Sequence, residues 1–184
     1  RSARLAAALR ALGVARGTTV SVMLSNTPEM IEAHYAVPAL NAVLNTLNTR
    51  LDAPLLAWQI NHCEASVLIT DREFAPVIAD ALQRLRREHG REIVVIDVAD
   101  SEYGGEGERL GTLEYEALLA VHAPLPLLEG PSDEWDAIAV SYTSGTTGDP
   151  KGVVTHHRGA YLNAVCNAVT WTMPNFPRYL WTLP

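Results

Sequence analysis

Twelve consecutive residues, Tyr142-Thr143-Ser144-Gly145-Thr146-Thr147-Gly148-Asp149-Pro150-Lys151-Gly152-Val153, concentrate groups that suit a polyphosphate. Thr143, Ser144, Thr146 and Thr147 offer hydroxyl donors to phosphate oxygens. Gly145 and Gly148 let backbone N–H groups turn toward an anion at close range. Lys151 adds a compact positive charge. Asp149 is a poor phosphate neighbour on charge grounds and is expected to face solvent. A turn that binds nothing draws on the same Gly, Ser and Thr residues, so composition alone leaves both readings open.

Two familiar glycine loops do not fit. A P-loop needs a Gly-Lys-Ser/Thr ending that opens a helix, whereas Lys151 here lies between Pro150 and Gly152. The dinucleotide fingerprint G-x-G-x-x-G is also absent. Pro150 and Gly152 disfavour a following helix. The flanking stretches 136–142 and 152–155 are short and β-prone, which places the loop between two strands.

The elements that must hold this loop alternate along the chain. Helical patterns are expected over 1–12 (ending at Gly13), from Asn26 or Thr27 to about Ala39, after Asp52 through Ile60, over 73–89, over 113–121 and over 157–170. Strands are expected at 19–24, at Val43-Leu44, at 66–70, at 92–98 and in the last residues, 179–184. Helix–strand alternation with mostly apolar strands predicts an α/β fold of mostly parallel sheets flanked by helices. Pro124, Pro126 and Pro131 form a stiff connector. They suggest a first subdomain over 1–123, a connector over 124–131 and the start of a second subdomain over 132–184.

The 184 residues suffice for a real core, and the net charge of −7 argues against nucleic acid as a partner. Arg84, Arg86 and Arg87 read as a solvated helix face. Cys63 and Cys166 lie far apart and suggest neither a disulfide framework nor a metal site, so a reducing, cytoplasmic setting is expected. No apolar run is long enough to span a membrane. The chain opens inside a helical pattern, and both ends read as fragment edges.

The ordered motif at 142–153 resembles the phosphate-binding loop of the adenylate-forming (AMP-binding) superfamily, which includes acyl-CoA synthetases, peptide-synthetase adenylation domains and luciferases. The resemblance extends over essentially the whole chain in order and spacing. Residues 42–51 (Ala-Val-Leu-Asn-Thr-Leu-Asn-Thr-Arg-Leu), Val67-Leu68-Ile69-Thr70-Asp71, Tyr161-Leu162-Asn163 and 179–184 all look like family segments, the last two approaching the acyl pocket. In wording these are closest to short- and medium-chain acyl-CoA ligases, including methylmercaptopropionate–CoA ligases. Asn41 departs from the usual glycine, and Asn tolerates left-handed backbone better than most residues.

The resemblance implies the N-terminal part of a large adenylate-forming domain. It implies ATP-dependent activation of a carboxylic acid, such as a short- or medium-chain fatty acid, to an acyl-adenylate and then to acyl-CoA. The co-substrates would be ATP, Mg2+ and coenzyme A. The phosphate-binding residues would be Thr143, Ser144, Gly145, Thr146, Thr147, Gly148 and Lys151. Catalytic residues and the magnesium-binding glutamate would lie beyond Pro184, with no metal site inside the chain, so the chain alone would be inactive. A peptide-synthetase adenylation domain and a non-catalytic nucleotide-binding relative stand as alternatives, and a homodimer is compatible with the resemblance.

Other residues are read as structural. His157 is expected to support a helix start, and Tyr142 to anchor its strand. Trp58, Trp135, Trp171 and Trp181 are expected in the core or lining a pocket. Glu32 and His34 are expected on the surface of a helix that buries Ile31 and Tyr35.

Overall fold

Strand order and crossover hand together decide where each helix sits. The computed structural model describes residues 1–184 apart from 106, 127–129, 144–149 and 182–184. Helices are α1 (Ser2–Ala11), α2 (Pro28–Ala36), α3 (Ala53–His62), α4 (Ala75–His89), α5 (Tyr115–Val121) and α6 (His157–Thr170). Strands are β1 (Thr19–Met23), β2 (Val43–Thr46), β3 (Val67–Asp71), β4 (Val94–Val98), β5 (Leu113–Glu114), β6 (Ala137–Thr143) and β7 (Lys151–His156). They form one sheet in the order β5-β4-β3-β1-β2-β6-β7. Every pairing is parallel except the β6–β7 hairpin.

From β1 the chain steps to β2 on one side, then returns past β1 to β3 and β4. Right-handed crossovers with that reversal must put α2 on one face and α3 and α4 on the other. The side chains sort accordingly. Val20, Val22, Leu44, Val67, Ile69 and Ile96 join Leu5, Leu9 and Ala33 in one cluster with α1, α2 and α5. Leu68 and Met23 join Leu56, Ile60, Ile78 and Leu85 of α3 and α4 in the other. Alternate residues of one strand thus feed two cores, which is why the central strands read as unbroken apolar runs.

Local signals explain the helix limits. Asp52 caps α3 by accepting from the Leu55 N–H at 3.1 Å. α4 ends at Gly90, whose φ of 61° is the left-handed geometry that suits glycine. Pro38 cannot donate within a continuing α-helix, so α2 stops at Ala36 and a 3-10 turn (Pro38–Leu40) follows. That turn ends on Asn41 at φ 53°, a left-handed position that asparagine tolerates.

Four expectations need correction. Glu32 is buried, whereas Ile31 and Tyr35 are 62% and 69% exposed. The face that α2 turns inward carries small residues, Ala33 and Ala36, and Glu32 is drawn in by partners on two other helices. Trp135 and Trp171 are exposed rather than in the core, whereas Trp58 is partly covered and Trp181, though exposed, lines a groove beside α2. Residues 178–181 have no regular secondary structure where a strand was expected; 182–184 lie outside the described residues. Leu113 and Glu114 form a short strand ahead of α5 rather than its first turn.

The sheet continues across the proline connector, because β6 pairs with β2. Leu125 N–H in that connector donates to the Ala3 carbonyl at 3.1 Å, docking it on α1. Beyond β6 the burial changes. β7 is exposed except at His156, and α6 buries no residue.

Candidate functional site

The hydroxyl- and glycine-rich stretch sits at the tip of the β6–β7 hairpin. Thr143 and Lys151 are cross-strand partners and close the hairpin immediately below the tip. Both are exposed. Paired residues of an antiparallel ladder project from the same face, so the Thr143 hydroxyl and the Lys151 ammonium face the same way. Lys151 makes no ion pair with any described residue and keeps its charge available. Ser144, Gly145, Thr146, Thr147, Gly148 and Asp149 lie outside the described residues. A hairpin whose ends carry a hydroxyl and an ammonium that pairs with no acid among the described residues fits an anion such as a polyphosphate. Among the described residues, no group of three or more His, Cys, Asp or Glu side chains is placed to hold a metal ion.

The foot of the hairpin is pinned. Arg16, ahead of β1, donates to Asp136 at 2.7 Å. The Asp136 carbonyl accepts from the His157 N–H at 3.1 Å, and Glu134 accepts from the Arg158 backbone at 2.8 Å. His156, not His157, caps α6: its Nδ1 accepts from the Gly159 N–H at 2.9 Å. His157 opens the helix, with its Nε2 buried and unpartnered among the described residues.

The middle of β6 is held by a buried polar triangle. Asn45 on β2 donates from Nδ2 to the Val140 carbonyl at 3.1 Å and accepts from the Ser21 hydroxyl at 2.9 Å. Cys63 lies against both, 3.8 Å from Ser21 Oγ and 3.6 Å from Asn45 Oδ1. Burial pushes the Cys63 thiol up, which keeps it protonated and a poor nucleophile.

Near the tip, Tyr142 turns toward α3. Its hydroxyl shares a hydrogen bond with His62 Nδ1 at 2.7 Å. The Trp58 ring stacks on His62 at 4.7 Å and meets Tyr142 edge-on at 5.7 Å. Burial pushes the Tyr142 phenol up to about 12, and Cys63 acts in the same direction. The sequence reading expected Tyr142 to anchor its strand but missed its partner. His62 is 80 residues away, and only the crossover of α3 brings it there. Trp181 sits instead beside α2, over an open apolar groove with Met30, Ile31 and Tyr35.

A mostly parallel sheet with helices on both faces, closed at one edge by an antiparallel hairpin, defines an α/β class of protein. The chain belongs to the AMP-binding enzyme family, whose model matches residues 1–184. Among its relatives, the peroxisomal acetate/butyrate–CoA ligase AAE7 of Arabidopsis thaliana is 41% identical across 100% of this chain and 34% of its own length. The anthranilate CoA ligase AuaEII, solved with anthranoyl-AMP, superposes at a TM-score of 0.76, with 27% identity over 89% of this chain and 30% of that one. The o-succinylbenzoate CoA synthetase of Bacillus subtilis, solved with ATP and magnesium ion, gives 0.75 and 27%, covering 100% of this chain and 33% of that one. The chain therefore spans about a third of the length of the relatives it matches. No helix among the described residues is long and apolar enough to cross a membrane.

Proposed function

We propose that this chain is the first part of an AMP-forming acid–thiol ligase, and that residues 143–151 hold the β- and γ-phosphates of MgATP. In such an enzyme a substrate carboxylate attacks the α-phosphate, pyrophosphate leaves and an acyl-adenylate forms. The thiol of coenzyme A then displaces AMP. Thr143, Ser144, Thr146 and Thr147 donate to phosphate oxygens, Gly145 and Gly148 allow the backbone to approach, and Lys151 offsets negative charge on the leaving pyrophosphate. The observation that carries this reading is the Thr143–Lys151 pair closing the hairpin beneath the motif. The CoA-ligase names of the relatives favour coenzyme A over a peptide carrier as the acceptor.

The acid is read as a short- or medium-chain fatty acid or a similar carboxylic acid. A cytosolic setting fits two free, separated cysteines, and the peroxisomal location of several relatives is the competing address. Sedimentation of the full-length protein decides between monomer and homodimer. The domain reading places 1–123 in a first subdomain and 132–184 at the start of a second. The exposed apolar side chains Val153, Val154, Leu162 and Val165 on β7 and α6 then meet chain that follows residue 184.

The test is a split of the two half-reactions in the full-length enzyme. Thr146→Ala or Lys151→Ala should lower ATP–pyrophosphate exchange about tenfold or more, from one lost phosphate contact. Thiolysis of pre-formed acyl-adenylate should change far less, because pyrophosphate has already left. Equal losses in both halves would make the hairpin tip merely structural.

A further inference from the structure

The pairing of β6 is uneven along its length. Toward the core it meets β2 only at Leu44↔Ala139 and Asn45↔Val140. Its last three residues, Ser141, Tyr142 and Thr143, pair with β7 alone. The limb that leads into the candidate phosphate loop therefore overhangs the sheet. A free two-stranded ribbon is a poor platform for positioning, because such ribbons are marginally stable by themselves.

A side-chain hydrogen bond ties that overhang back to the body. Tyr142, the residue before Thr143, reaches His62 in the last turn of α3. His62 is itself braced: Trp58, one turn earlier, stacks on its ring with the planes 21° apart. The end of α3 is fixed in turn by Arg91, whose guanidinium donates to the Ile60, Asn61 and Ala65 carbonyls at 3.4, 3.2 and 2.9 Å. A cation there satisfies helix-terminal carbonyls that would otherwise lack partners. Across the hairpin from Tyr142 stands Gly152.

We infer that His62 is a positioning residue for adenylation, holding Tyr142 so that the incoming limb of the phosphate loop stays aligned on the sheet. The inference rests on the proposed phosphate-binding role of residues 143–151. His62 touches no substrate in this scheme. It acts through Tyr142, so its removal should disturb the half-reaction that needs triphosphate alignment and spare the one that does not.

The test uses the full-length enzyme and four variants: Tyr142→Phe, which removes one oxygen atom; His62→Phe, which keeps a ring on Trp58 but loses Nδ1; the double variant; and His62→Asn, whose amide can occupy the Nδ1 position. Tyr142→Phe and His62→Phe should each lower kcat/KM for ATP in pyrophosphate exchange about three- to tenfold, the range of one hydrogen bond. Thiolysis of pre-formed acyl-adenylate should stay within about twofold. The double variant should be no worse than either single one, because both break the same bond. His62→Asn should recover most of the exchange. Lys151→Ala separates this inference from the reading beneath it. If Lys151→Ala depresses exchange while the four variants leave it intact, or lower both half-reactions alike, the tether is refuted and the phosphate loop stands. If Lys151→Ala leaves exchange untouched, the phosphate-loop reading falls and the tether falls with it.

Discussion

The phenol of Tyr115 on α5 donates to Glu32 Oε2 on α2 at 2.6 Å, inside the layer where α1, α2 and α5 meet. Arg1, the N-cap of α1, binds the other oxygen of the same carboxylate and also Glu116. A buried carboxylate is thus satisfied by one donor from each neighbouring helix. Removing a partner from such a group costs more than the bond itself, because the remaining charge stays out of water. Tyr115→Phe should destabilise the protein by about 1–3 kcal/mol, read as a lower thermal midpoint. A Tyr115→Phe variant as stable as the parent would mean the carboxylate finds another donor.

Alkaline pH should weaken the fold. Burial pushes the Tyr115 phenol well up from 10, with Glu32 acting in the same direction, and carries Tyr142 up to about 12. The sign follows from proton binding. Above pH 10 the unfolded chain loses these phenolic protons while the folded chain keeps them. The stability they contribute is therefore fully present below pH 10 and is lost as the pH rises; for Tyr142 the loss is complete near pH 12. Urea midpoints should fall between pH 9 and 11, and less steeply in Tyr115→Phe after correction for its lower starting point. Identical slopes would remove these phenols from the explanation.

Asn45 should matter more to β6 than to the rest of the sheet. Its amide serves the Val140 carbonyl and the Ser21 hydroxyl while fully buried. Asn45→Ala leaves both without that partner, at a cost of about 1–3 kcal/mol each way the site cannot relax. Amide exchange should accelerate over 137–143 before it does so over 19–23, where β1 is flanked by β2 and β3. Uniform acceleration would show that Asn45 supports the whole sheet rather than the limb that carries the loop.

Nucleotide should register on the hairpin tip. In the full-length protein, ATP with magnesium should slow amide exchange over 143–152. In the 184-residue chain alone the change should be small, because the resemblance places the catalytic residues and the magnesium-binding glutamate beyond Pro184. Strong protection in the short chain would mean that these residues form a self-sufficient phosphate site.

Much of this architecture was legible from residue order. Asp52 ahead of an apolar helical run, Gly90 after another, and the unbroken apolar strands each carry a local physical signal, and the structure places helices and strands accordingly. The inversion on α2 was not legible. Glu32, Ile31 and Tyr35 obey no helix-wide apolar face, because Glu32 turns inward only where α1 and α5 supply Arg1 and Tyr115. Those partners are distant in sequence, and no single-helix pattern reports them. Trp135 and Trp171 misled for a related reason: they lie in the part of the chain that the α/β core does not cover.

By itself the sequence determined the α/β alternation and the family, and it singled out the candidate motif at 142–153, because local backbone preferences and an ordered motif survive without knowledge of neighbours. Only the tertiary structure decided how that site is held. It set Thr143 opposite Lys151, Asn45 against Val140 and His62 against Tyr142, and it left the end of β6 paired on one side only. These relationships depend on strand order and on which face of the sheet each crossover helix covers, and both are properties of the closed chain rather than of any stretch within it.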